Sequence, residues 1–113
     1  GARNQELNRG ILTGAAAIDH TITPGHPFKI VKVELHLSAA PAASENFVVK
    51  IDAGDGAVYD VVLKSVDLSS GSIADLVWIP AQPDTYESDD VIAITWANTN
   101  TRTYGMRVIY ELL

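Results

Sequence analysis

From Ala16 to the end of the chain, apolar and polar residues alternate with a period of two over most segments. Successive side chains of a pleated strand point to opposite faces, so this pattern predicts half-buried strands rather than helices. Ala16–Thr23 carries Ala16, Ile18, His20 and Ile22 in one phase. Phe28–Leu37 puts Val31, Val33, Leu35 and Leu37 inward, with Lys32, Glu34 and His36 outward. Asn46–Asp52 aligns Phe47, Val49 and Ile51, and the next run aligns Tyr59, Val61 and Leu63. In Ile73–Ile79 the phase is set by Asp75: burying an unpaired carboxylate is expensive, so Leu76 and Trp78 are expected to face the core. Two last runs hold Ile92, Ile94 and Trp96, then Tyr104, Met106, Val108, Tyr110 and Leu112. They flank the polar stretch Ala97–Arg102 and predict a closing hairpin.

Breakers separate the runs. Thr23–Pro27 contains two prolines, Ser38–Ser44 surrounds Pro41, Ala53–Gly56 is a glycine turn, and Lys64–Ser72 reads as a Ser/Gly loop. Residues 1–14 are polar with two glycines and read as a flexible N-terminal arm, leaving 15–113 as one β domain. Seven to eight strands with regular turns and no convincing helix predict an all-β, antiparallel β-sandwich. A jelly-roll-like strand order is expected, with an immunoglobulin-like order as the alternative.

Composition narrows the function classes. The 113 residues are 47% apolar and contain no cysteine, so neither a disulfide nor a thiolate metal site exists. That suits synthesis in a reducing cytoplasm. No apolar run approaches the roughly 18 residues of a membrane helix, and no membrane partner is expected. The net charge is −6, distributed as +2 over residues 1–32 and −8 over the remainder. An acidic body repels polyphosphate, which argues against nucleic acid.

Candidate chemistry is sparse. Asp52, Asp55 and Asp60 surround the glycine turn and are weak calcium candidates, because they lack EF-hand spacing and its bidentate glutamate. The plainer reading is aspartates capping a turn. His20 and His36 would need suitably paired strands to share a metal, and no spacing compels it. Nucleophile elbows and phosphate loops are absent, and acids in turns stay ionised, so no catalytic residue, enzyme activity or cofactor is expected. Most aromatics fall in the core phase. Tyr86, in a loop beside acids, is the one placed to stack on a glycan.

Several apolar residues remain in the opposite phase: Phe28, Ile30, Val48, Val62, Val77, Ile79 and Val91. Either loops cover them or they meet another subunit.

Three segments carry a resemblance: Ser44-Glu-Asn-Phe47, Asp52-x-Gly-Asp-Gly-x-x-Tyr-Asp60, and Asn98-x-Asn-x-x-Thr-Tyr-Gly105. Over residues 28–112 the chain resembles small β-sandwich virion-type proteins of tailed bacteriophages and prophages. These are turn and strand signatures, and they specify a fold more than an activity. The resemblance implies a virion component such as a capsid decoration (cement) protein or part of a head or tail fibre. A homo-oligomer contacting other virion proteins is expected. The contact residues expected are Arg3, Leu7, Arg9 and Ile11 in the arm, and Phe28, Ile30, Val77 and Ile79 on the sandwich. A carbohydrate- or calcium-binding module is the alternative.

Overall fold

The computed structural model describes residues 7–54, 56, 58, 60–81 and 84–113. Eight strands follow in chain order: β1 (Leu7–Gly14), β2 (Ile18–Ile22), β3 (Phe28–Leu37), β4 (Asn46–Asp52), β5 (Val61–Asp67), β6 (Asp75–Trp78), β7 (Val91–Trp96) and β8 (Tyr104–Leu112). They form two four-stranded antiparallel sheets, ordered β1-β8-β3-β6 and β2-β7-β4-β5. The ladders nest: β1 pairs with β8, β2 with β7, β3 with β6, and β4 with β5. Only the β4–β5 connection stays within one sheet; every other link crosses between layers. The result is the expected all-β sandwich.

One core lies between the sheets. Phe28, Ile30, Val33, Leu35, Leu37, Tyr104, Met106 and Val108 contribute from the first sheet. Ile18, Phe47, Val49, Ile51, Ile92, Ile94 and Trp96 contribute from the second. Leu76 and Trp78 pack against this cluster while Asp75 and Val77 are exposed, so the Asp75 phase argument holds.

Three expectations require correction. First, the closing runs are not a hairpin. β7 belongs to one sheet and β8 to the other, each paired with different neighbours. Their apolar phases face each other across the core, whereas hairpin partners would share one face. Second, the arm expected over residues 1–14 is sheet from Leu7 onward. β1 is in register with β8 from Leu7↔Glu111 to Gly14↔Tyr104. Its polar composition suits an edge strand with one solvated face. Residues 1–6, including Arg3, lie outside the described residues. Third, Phe28 and Ile30 are core residues, 0% and 2% exposed, and are not contact residues. The ladder of β3 against β8 slips between Ile30 and Lys32, leaving Val31 as an extra residue. Such a bulge inverts the alternation: Phe28 and Ile30 point inward on one side of it, and Val33, Leu35 and Leu37 on the other.

A similar slip opposite Val49 and Lys50 leaves Leu63 as the extra residue of β5. Leu63 and Val66 pack on the core, whereas Val61 is 57% exposed rather than inward. β5 also runs through Asp67, into the stretch expected to be loop. Tyr59 and Asp55 lie outside the described residues.

Candidate interaction surface

The outward positions of β1, β8, β3 and β6 form one face, and the registers arrange it in rows across the four strands. One row reads Ile11, Arg107, Glu34, Val77. The next reads Thr13, Gly105, His36, Asp75. Ile11 and Val77 are 62% and 59% exposed, with Ile79 beyond Val77 at 64%. Exposed aliphatics therefore stand on the two edge strands, and an ion pair lies between them. Arg107 Nη2 is 2.7 Å from Glu34 Oε1, and Lys32 Nζ is 3.7 Å from Glu34 Oε2. Gly105 has no side chain, and the face dips there into a trough of about 340 Å³ lined by both rows. His36 Nδ1 and Asp75 Oδ1 meet at the rim and tie β6 to β3. At the far end Lys29 Nζ lies 3.1 Å from Glu111 Oε1.

Of the expected contact residues, Ile11, Val77 and Ile79 are thus brought onto one face. Leu7 and Arg9 hold register positions opposite Glu111 and Ile109, at alternate places along β1 from Ile11. Phe28 and Ile30 do not belong to the face. Glu34, Arg107, Thr13 and Gly105 were not singled out by the sequence. Periodicity marks residues such as Glu34 as outward, but which outward residues share a row depends on pairing between strands distant in the chain.

The other candidates are used locally. Asp52 Oδ1 accepts from Gly54 N–H at 2.8 Å, capping its own turn, and Asp60 Oδ2 lies 3.6 Å from Lys50 Nζ. Among the described residues, no three His, Asp or Glu side chains converge on a common point. His20 and His36 lie on different sheets. Tyr86 is half-buried and anchored to the sandwich rather than standing in a free loop. It exchanges two backbone hydrogen bonds with Phe28, at 2.8 and 3.1 Å, and its ring packs on Phe28 with centroids 5.4 Å apart. Burial, with Asp84 and Asp90 nearby, pushes its hydroxyl pKa above the usual tyrosine value. Asp67 is held below the usual carboxylate range by the hydroxyls of Ser44 and Ser69 and by backbone N–H groups.

No protein-family model and no curated protein matches this sequence. Among solved structures, a chain from the acidic stable capsid structure of Helicobacter pylori bacteriophage KHP30 is similar. It aligns with a TM-score of 0.50 and 19% identity over 95% of this chain and 94% of the other. At that identity the likeness is one of fold.

Proposed function

We propose that the chain is a non-enzymatic structural protein of a tailed-phage virion, a capsid decoration (cement) protein or a head or tail fibre component that assembles as a homo-oligomer and attaches to other virion proteins. The observation that carries this reading is the fold likeness, which runs almost end to end through a chain of a phage capsid structure. The resemblance of the turn signatures to those of phage proteins supports the same reading. The strand order supports reading the sandwich as a jelly roll: eight strands pair as a nested series and wind into two sheets. Function in this reading is mechanical. Each copy contributes a modest apolar contact, and many copies convert weak contacts into durable attachment.

The test is fractionation of particles from a host carrying the gene. The chain is expected to co-sediment with purified particles and to survive washing. Recovery only in the soluble lysate would overturn the reading, as would a monomer whose melting temperature rises several degrees with calcium or with a member of a glycan panel.

A further inference from the structure

The row Ile11–Arg107–Glu34–Val77 is complementary to itself. Consider a second copy turned over by a two-fold axis that lies in the contact plane, parallel to the strands, between β8 and β3. That operation reverses the row. Ile11 then faces Val77 of the second copy, and Arg107 faces its Glu34. In the adjoining row His36 comes opposite the bare Gly105 of the other copy, and Thr13 opposite its Asp75. A two-fold contact requires a patch that matches its own reverse, and this one does in both charge and shape.

Electrostatics favours the same occupant. The chain carries −6 overall, yet the outward register positions of this sheet nearly balance, with Arg9, Lys29, Lys32 and Arg107 against Glu34, Asp75 and Glu111. Like-charge repulsion between copies is therefore small at this face, which is also where exposed aliphatics sit on both flanks.

We propose that two copies of this chain pack these outer faces against each other on that two-fold axis. The inference deepens the homo-oligomeric part of the proposed function by naming the surface and the operator. The 31 residues of the four strands, at about 3.3 Å rise and about 4.8 Å spacing, cover roughly 490 Å² per copy. A total on the order of 1,000 Å² lies at the lower bound for a specific dimer, so micromolar affinity is expected.

The test uses light scattering at about 100 µM, well above such a Kd. The unaltered chain is expected at twice its 12.1 kDa mass. Ile11→Asp and Val77→Lys each put an unpaired charge at both ends of the two-fold contact and are each expected to weaken pairing about a thousandfold, so that they run as monomers, with unchanged circular dichroism because both positions are exposed. Mixed one to one, the two variants are expected to regain the dimer mass. At one end of the contact the introduced carboxylate meets the introduced ammonium, while the other end keeps its native pairing of Val77 with Ile11. Val62→Asp, on the other sheet's edge strand, should leave the mass unchanged. A monomeric unaltered chain, dimers insensitive to both substitutions, or no rescue on mixing would each overturn the two-fold contact. None of those outcomes touches co-sedimentation with particles, so the broader proposal stands or falls separately.

Discussion

Asn98 shows how much one side chain can hold. It is 2% exposed, in the left-handed region with φ 48°, a conformation asparagine tolerates better than most residues. Its amide donates to the carbonyls of Ala15, Ala16 and Arg102 at 3.0–3.2 Å, and its Oδ1 accepts from Arg102 N–H at 2.8 Å. Ala15 and Ala16 lie in the link from β1 to β2, so this residue ties the two layer-crossing links together. Asn98→Ala removes these bonds and puts an alanine in the left-handed region. We expect a loss of about 3 kcal/mol, read as a lower urea midpoint with an unchanged m value. Asp67 gives a second residue-scale prediction. Its pKa is depressed in the folded state, so its contribution is present above the unfolded value near 3.9 and is lost as pH falls through the folded value. Ser44→Ala removes the largest cause, and a carboxyl NMR titration should show Asp67 moving back toward the ordinary range. An unmoved titration would assign the depression to other neighbours.

At the scale of elements, β1 is where sequence and structure part most usefully. Leu7–Gly14 alternates only loosely and includes two glycines, so its membership of a sheet is visible only through its partner β8. Gly10 also sits where a side chain would not fit: a Cβ there would come within 2.5 Å of Ile22 Cδ1 on the opposite sheet. Deleting residues 1–11 removes most of the β1 ladder and exposes the β8 edge, so the truncated chain should melt at a lower temperature and aggregate. A truncation that melts like the full chain would return the segment to the status of an arm. Much else was legible. β3 and β4 fall at their expected bounds, because long alternating runs between strong breakers leave few other solutions. The misreadings share one cause. A single inserted residue, Val31 or Leu63, inverts the phase of everything beyond it, and period counting carries the first phase through the slip. The hairpin error is of a related kind: alternation says a run is a strand without saying which strand it pairs with. The outer face proposed for pairing was half legible for this reason. Val77 and Ile79 stand out as surplus apolar residues and Ile11 as an apolar residue of the expected arm, but the Arg107–Glu34 pair comes from register alone.

For the whole molecule, the order of the first sheet has a consequence in time. β8 lies between β1 and β3, so the last of the eight strands to leave the ribosome is the one that joins the first to the third. Until it emerges, β1 has no ladder partner, and the inner faces of Phe28, Val33 and Leu35 lack Met106 and Val108. A nascent chain stopped at Thr103 should therefore remain protease-sensitive and fail to show a cooperative melt. The released chain should fold in milliseconds to seconds, the range for folds dominated by distant pairings. Insertion of β8 of a neighbouring, completed chain into the open slot between β1 and β3 of such a waiting intermediate would exchange strands between copies. Spacing of ribosomes along the message then bears on how often correctly closed monomers form.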